Sequence, residues 1–344
     1  TPTGTGGHGG AGTTSSGGSG GKSTGTGGST GGSGGSMPTN GCKPSNDTVL
    51  AVDRLYFGDA NWSDAIDTNA WSLFGLDVDG VQSDGTGAKE CQPSNGGSVS
   101  AVHTDGPSGL DNAFGKVVLP VFLQSIPTLP YQANAAIVNG DFSILFRLGG
   151  LGAGPDQASL PGRVYTGGFL PNVPEFNGTD CWPVAPESLT NPADVDSAIA
   201  TYPASSLYDN HWDSISLGDI GLTLQIFSFQ GHLTIHHARV VMDLDADHNG
   251  TQHGIISGVL DTEEFVAAID NLMQQFDPTN CGGSQFVTQI NQQIRAGSDI
   301  MKDGTQDPTK TCDGITIGLG FKAAKVQFGP IADPLEPPVD PCAP

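Results

Sequence analysis

The sequence GHLTIHHARVVMDLDADHNGTQHGIISGVLDTEE, residues 231–264, decides the fold of this chain. Apolar side chains follow strand-like patterns over residues 232–244 and again over 255–260. Between them lies a dense run of Asp, Asn and Gly, which is typical of a tight turn. Asp261 then stands three residues before Glu264, the spacing of a helix-capping box. The stretch therefore predicts two strands, a turn and a capped helix.

Strand-like segments recur on both sides of this stretch. Residues 215–229 and 232–244 form the longest pair, and we expect them to be antiparallel with a turn at Gln230-Gly231. Residues 70–81 alternate and end in Asp-Gly, which predicts a hairpin. Other strand-like segments are 49–57, 142–148, 163–167 and 315–328, and further short apolar runs lie at 99–102, 117–123 and 135–138.

Two helices are predicted late in the chain, at 261–276 and 284–296. Each carries apolar residues on one face at helical spacing. The first face is Phe265, Val266, Ile269, Leu272, Met273 and Phe276, and the second is Phe286, Val287, Ile290 and Ile294. Since strands and helices do not alternate, we predict a mainly β fold: an antiparallel β-sandwich, jelly-roll or concanavalin-like, with two C-terminal helices.

The first residues have a different composition from the rest. Residues 1–36 contain 17 Gly, 8 Thr and 7 Ser, so they have almost no apolar surface to bury. We therefore predict a disordered tether over residues 1–40 and a single disulfide-bonded domain over 41–344. The chain begins at Thr1 without Met, which favours a removed leader. We expect an extracellular or outer-surface location, with a lipid anchor as one variant.

The net charge of −23 argues against nucleic acid and anionic membranes as partners. No run of 18 apolar residues is present, so no transmembrane segment is predicted.

Six cysteines without a CxxC spacing favour disulfides in an oxidising compartment over a zinc ribbon. Cys281 and Cys312 flank the second predicted helix, and we predict that they pair. The full set is Cys42, Cys91, Cys181, Cys281, Cys312 and Cys342.

The acidic turn at 245–251 resembles the first half of an EF-hand-type calcium loop, with oxygens at positions 1, 3 and 5 and Gly at position 6. It departs from that loop because Ile256 stands at position 12 and a strand precedes it. A plain hairpin turn is the alternative. The candidate Ca²⁺ ligands are Asp243, Asp245, Asp247, Asn249 and Thr251.

A second acidic turn, Asp77-Val-Asp79-Gly80, has a similar composition and is also read as a hairpin turn. His232 and His236 would lie about 13 Å apart along a strand, too far to share one metal ion. His237 points to the opposite face unless a bulge intervenes. We expect structural roles for these histidines.

Three tryptophans lie near polar loops and are candidate platforms for a sugar, although Trp in a β fold is usually part of the core. They are Trp62, Trp182 and Trp212.

Several stretches together resemble uncharacterised secreted or lipoprotein families of myxobacteria-type bacteria, in which a Gly/Ser/Thr-rich spacer precedes a Cys-containing β domain. The stretches are residues 1–36, WSLFGLDVDG at 71–80, GLDNAFG at 109–115, residues 238–264 and CDGITIGLGF at 312–321. The resemblance implies a location outside the cell more than a chemistry.

Since no complete catalytic motif is visible, we predict a tethered cell-surface binding or structural module and favour this over an enzyme. Its expected partners are a polysaccharide, a surface protein or further copies of itself, and its expected cofactor is Ca²⁺. One alternative is an extracellular glycoside hydrolase that uses an Asp/Glu pair. Another is a subunit of an extracellular fibre.

Overall fold

The fold was analysed in a computed structural model that describes residues 41–334, apart from 43–44, 95, 227–228 and 282, together with residue 342. The predicted tether lies outside these residues. The described residues fall within one unit, Asn40–Pro344.

Eleven strands and five α-helices are formed by the described residues. The strands are β1 (Thr48–Tyr56), β2 (Ser143–Leu148), β3 (Gly162–Gly167), β4 (Cys181–Val184), β5 (Ala200–Tyr202), β6 (Ser206–Tyr208), β7 (His211–Asp213), β8 (Gly218–Ile226), β9 (Phe229–Leu244), β10 (Gly250–Asp261) and β11 (Gly314–Ile331). The helices are α1 (Val99–Val102), α2 (Leu119–Ser125), α3 (Leu129–Asn139), α4 (Thr262–Phe276) and α5 (Gln285–Ala296).

The strands are joined in a mixed sheet around β11. Strands β1, β2, β3, β4 and β11 form a closed ring, because β11 pairs with both β1 and β4. From β11 the sheet continues through β10, β9 and β7 to β6. The prediction of a mainly β fold is confirmed. The prediction of a purely antiparallel sheet is wrong, because β4 runs parallel to β11.

The two faces of the ring strands belong to different cores, because successive side chains of a strand point to opposite faces. Ala51, Leu145 and Trp182 belong to a smaller cluster that all five ring strands share. Leu50 and Phe146 belong to the main core, which extends to α2, α3, α4 and α5. The pairing joins the strands into one network, so the two separate sheets of a sandwich are not established.

Several local predictions are confirmed. The segment that decides the fold forms β9, β10 and α4, and the Asp261 side chain caps α4 by accepting hydrogen bonds from the backbone N–H groups of Glu263 and Glu264. Ser284 caps α5 in the same way through the N–H of Val287.

Other local predictions are wrong. Residues 70–81 form a 3₁₀ turn and a loop instead of a hairpin. Gln230 and Gly231 lie within β9, because Ile226 already pairs with Phe229. The apolar run 99–102 is helical, while 117–123 and 135–138 lie mostly or wholly in helices. Phe276 and Phe286, expected on buried helix faces, are about half exposed.

All six cysteines form disulfides, as predicted, and the pairs are Cys42–Cys181, Cys91–Cys312 and Cys281–Cys342. The predicted Cys281–Cys312 pair is wrong. After α5 the chain runs beside the loop that contains Cys91, where Gln92 bridges to Thr311, and this brings Cys312 to Cys91.

Among the described residues, every helix is too short or too polar to cross a membrane.

Candidate metal centre

Five aspartates from three separate segments meet at one end of β11. Asp77 and Asp79 lie in the loop after the first 3₁₀ turn, Asp105 and Asp111 follow α1, and Asp299 follows α5. Carboxylate oxygens of Asp77, Asp79 and Asp111 all lie within 4.8 Å of one another. We call these five residues the aspartate cluster.

Backbone contacts bring the first two segments together. The Asp111 N–H donates to the carbonyl of Leu76 at 3.0 Å, and the Val78 N–H donates to Asp111 Oδ2 at 2.7 Å. Gly109 has a φ of +78°, and a Cβ there would lie 3.2 Å from Asp77 Oδ2. A glycine is therefore required at this position, both by the backbone conformation and by the approach of the carboxylate.

Asn112 fixes these two segments to the sheet. Its Nδ2 lies 2.8 Å from the carbonyl oxygen of Phe74 and 3.1 Å from that of Gly318 on β11. Its Oδ1 accepts from the N–H of Gly318 at 3.1 Å and from that of Gly115 at 2.9 Å. The side chain is buried, so these bonds are shielded from water and hold the neighbouring Asp111 in place.

Gln306 joins the third segment to the cluster. Its Nε2 donates to Asp79 Oδ2 at 2.7 Å and to the carbonyl of Asp299 at 3.0 Å. Its Oε1 accepts from the N–H of Cys91 at 2.9 Å. The Cys91–Cys312 disulfide then links the same two loops covalently.

Asp299 is, with Asp111, one of the two buried members of the cluster. Its two oxygens accept from the N–H of Thr316 at 2.8 Å and from the Thr316 hydroxyl at 2.6 Å. Burial nevertheless raises the pKa of Asp299 to about 7, because two hydrogen bonds do not replace the water removed from the charge.

The cluster brings carboxyl groups together, two of them buried, without a cationic side chain to pair with them. Burial raises the pKa of Asp111 well above its usual range, and Asp79 and Asp299 raise it further. The carboxyl groups of Asp105 and Asp111 lie within hydrogen-bond reach of each other, and burial also raises the pKa of Asp105. Among the described residues, no Lys, Arg or His forms an ion pair with any of the five aspartates.

Lys116 is a cationic group whose charge acts on the cluster, but its ammonium group is bonded outside it. Its Nζ donates to the carbonyl of Thr104 at 2.6 Å and lies 5.1 Å from the centre of the Trp71 ring. Its charge attracts those of Asp105 and Asp299 without contact. Convergent carboxylate oxygens with little compensating charge are the donor set that a hard divalent cation prefers, and Ca²⁺ takes six to eight such oxygens.

The predicted calcium turn between β9 and β10 uses its polar groups within the protein. Asp245 Oδ1 accepts from the N–H of Asn249 at 2.7 Å, and Asn249 Oδ1 accepts from Lys325 Nζ at 3.2 Å. Asp243 pairs with His211, and the Thr251 hydroxyl donates to the Asp243 carbonyl at 2.7 Å.

Within the described part of the chain, Asp243, Asp245 and Asp247 do not form a group of three carboxylates within 4.8 Å of one another. The calcium site at this turn stays a prediction, and the geometry favours the aspartate cluster over it.

Two of the three predicted sugar platforms are wrong. Trp182 and Trp212 are 0% exposed, so their ring faces are not accessible to a sugar. Trp62 is partly buried and packs edge-on against Phe74 and His253. The rings of Trp182 and Trp212 belong to the smaller and the main core, respectively. Their strands, β4 and β7, are too short for an alternating pattern to indicate burial in the sequence.

His236 and His237 on β9 have structural roles, as expected. A bulge lies between the residues that pair with Ser257 and Val259, and His237 has a φ of +51° there. His236 therefore faces Glu264 on α4, at 3.0 Å, and Asp219 on β8, at 3.5 Å. Cys91, His103 and Cys312 also lie close together, but the disulfide occupies both sulfur atoms.

Sequence reasoning named Asp77 and Asp79 but read them as a simple turn, and it left Asp105 and Asp299 aside. The sequence features that pointed to the cluster were the Asp-x-Asp-Gly spacing at residues 77–80 and the Leu-Asp-Asn of residues 110–112. Their convergence depends on contacts between residues more than 30 positions apart, such as Leu76 with Asp111 and Asp79 with Gln306.

No family model, curated protein or solved structure matches this chain. Its function is therefore inferred from the geometry of the site.

Proposed function

We propose that this chain is an exported binding or structural module stabilised by Ca²⁺, and that the aspartate cluster is its cation site. The observation that carries the proposal is the meeting of carboxylate oxygens of the exposed Asp77, the half-buried Asp79 and the buried Asp111 within 4.8 Å of one another. The closeness of the Asp105 and Asp111 carboxyl groups supports it, because two carboxyls that close require either a proton or a cation between them.

A bound cation would act on the structure and not on a substrate. Asp111 and Asp299 are 5% and 6% exposed, so a polymer cannot reach these two carboxylates. An ion held there joins the loops around residues 76–91, 104–111 and 299–313, which lie far apart in sequence. The exported location is supported by the three disulfides, which persist in oxidising compartments, and by the resemblance to secreted families.

Thermal unfolding with and without Ca²⁺ tests the proposal. After removal of divalent ions with EDTA, we expect Ca²⁺ at about a hundred times its Kd to raise Tm by on the order of 5 °C. Asp111→Asn should unfold at a higher temperature than the wild type in EDTA, because the wild-type carboxyl must take up a proton or hold a charge beside other carboxylates when the chain folds, and an amide need do neither. The same variant should lose the response to Ca²⁺.

Asp245→Asn is the matched control, because an amide oxygen can still accept from the N–H of Asn249. It should respond to Ca²⁺ as the wild type does. A wild-type Tm that does not change with Ca²⁺ would refute the calcium proposal. A response lost in Asp245→Asn but kept in Asp111→Asn would place the ion in the β9–β10 turn instead.

A further inference from the structure

An apolar cavity of about 80 Å³ lies between the sheet and the helices, separate from the aspartate cluster. All of its lining residues are aliphatic, aromatic or Met. Leu55 and Ile317 line it from the sheet, Phe122 from α2, and Ile269 and Met273 from α4. A cavity with such a lining stays dry and accepts apolar molecules, as an engineered cavity of about 150 Å³ that binds benzene shows.

The cavity reaches the surface beside β9. Ile126, Leu129 and Leu233 are only partly buried, whereas the other residues of the lining are buried. A second pocket, of about 110 Å³, shares Leu233 and Phe265 with the cavity. The two pockets therefore lie side by side, one apolar and one polar.

The polar pocket is acidic. Besides His232 and Thr234, it is lined by Asp261 and Glu264. Asp261 also pairs with Lys302 at 2.9 Å. Glu264 pairs with His236, yet its side chain remains 63% exposed and accessible to a further donor.

We propose that the two pockets together bind a single-chain amphiphile with a positively charged head, a function beyond the calcium site and independent of it. The end of the alkyl chain fills the apolar cavity, which has room for a short segment of hydrocarbon. The ammonium head lies in the polar pocket, where its N–H donors can share the exposed carboxylate of Glu264 with His236. A fatty acid would place a like charge beside this carboxylate, on a chain of net charge −23.

Titration calorimetry with three eight-carbon probes tests this proposal on the full chain, with calcium held constant. We expect octylamine to bind at least tenfold more tightly than octanoate, with octanol between them. The methyl resonances of Ile317 and Met273 should shift on binding, because both side chains line the apolar cavity.

Leu233→Trp blocks the cavity at its mouth and should weaken octylamine binding at least tenfold. Leu217→Trp is the matched control, because Leu217 is 59% exposed and lines neither pocket, and it should bind as the wild type does. Glu264→Gln should reduce the preference for octylamine over octanol. Undiminished binding in a folded Leu233→Trp variant would overturn the proposal, and so would binding of octanoate as tight as that of octylamine.

Discussion

His236 shows how a single residue holds several elements together. It lies on β9, at a bulge, between Asp219 on β8 and Glu264 on α4. Burial lowers the pKa of His236, but the hydrogen bond to Glu264 and the charge of Asp219 outweigh this effect and raise the pKa above its usual 6.5. The charged imidazole therefore stabilises the contact between the β8–β9 pair and α4.

The raised pKa gives the contribution of His236 a defined pH dependence. A histidine with a higher pKa in the folded state contributes fully below its unfolded pKa of about 6.5, and the contribution disappears as pH rises through the folded value. We expect His236→Gln to lower the free energy of unfolding more at pH 5.5 than at pH 8.5. Urea unfolding of the wild type and the variant at pH 5.5 and at pH 8.5 measures this loss of free energy.

Glu264→Gln is the companion variant, because it removes the charged partner and keeps the imidazole. The difference between pH 5.5 and pH 8.5 should be smaller in this background. An equal loss of stability at both pH values in His236→Gln would mean that the side chain acts through packing and not through its charge.

At the scale of elements, the sequence predicted those with long, regular patterns. Strands β1, β2, β9 and β11 and helices α4 and α5 appear close to their expected bounds, while β10 begins at Gly250, five residues before its expected start. Helices α2 and α3 were missed because their apolar runs are short enough to read as strands. Pro120 and Pro130 near their first turns, and Gly140 at the end of α3 with a φ of +84°, were signals for helices.

Helix α4 offers a test of local capping. Asp261 Oδ1 accepts from two backbone N–H groups of the first turn, and Asp261 Oδ2 contacts Lys302. We expect Asp261→Ala to lower the free energy of unfolding by about 1 kcal/mol, within the usual range for a lost N-cap. Asp261→Asn keeps an acceptor for the helix and should lose less. Equal losses in the two variants would show that the contact with Lys302, and not the cap, is responsible.

At the scale of the whole molecule, the closed ring and the aspartate cluster could not be read from the sequence. Both depend on β11, which pairs with β1, β4 and β10. Strands β1 and β4 are each more than 100 residues away from β11 in the sequence. Alternation identifies a strand and its buried face, but it does not identify the neighbours of that strand. The six cysteines were likewise recognisable as disulfide partners, while their pairing was not.

The disulfide next to the aspartate cluster should affect calcium binding as well as stability. Replacing both Cys91 and Cys312 with Ser should lower the free energy of unfolding by about 2–5 kcal/mol. It should also weaken Ca²⁺ binding, because the loops that hold Asp79 and Asp299 lose their covalent link. Calorimetric titration with Ca²⁺ measures the second effect.

The Cys281–Cys342 pair provides the comparison, since Cys281 lies between α4 and α5, away from the aspartates in the sequence and outside their hydrogen bonds. Replacing both of these cysteines with Ser should leave the Kd for Ca²⁺ unchanged. Equal Ca²⁺ affinity in both double variants would contradict a role for the Cys91–Cys312 link in shaping the site.

The Cys42–Cys181 disulfide has a mechanical consequence. Residues 1–40 join the domain just before Cys42, and this cysteine is bonded to the first residue of β4. If the chain is anchored by its first residues, a pulling force enters β4 through a covalent bond and bypasses the hydrogen bonds at the start of β1. Reduction of this bond would transfer the load to β1, which could then be peeled from β2 and β11 one residue at a time. In a chain anchored in this way, the disulfide would keep the pulling force from acting first on the hydrogen bonds of β1.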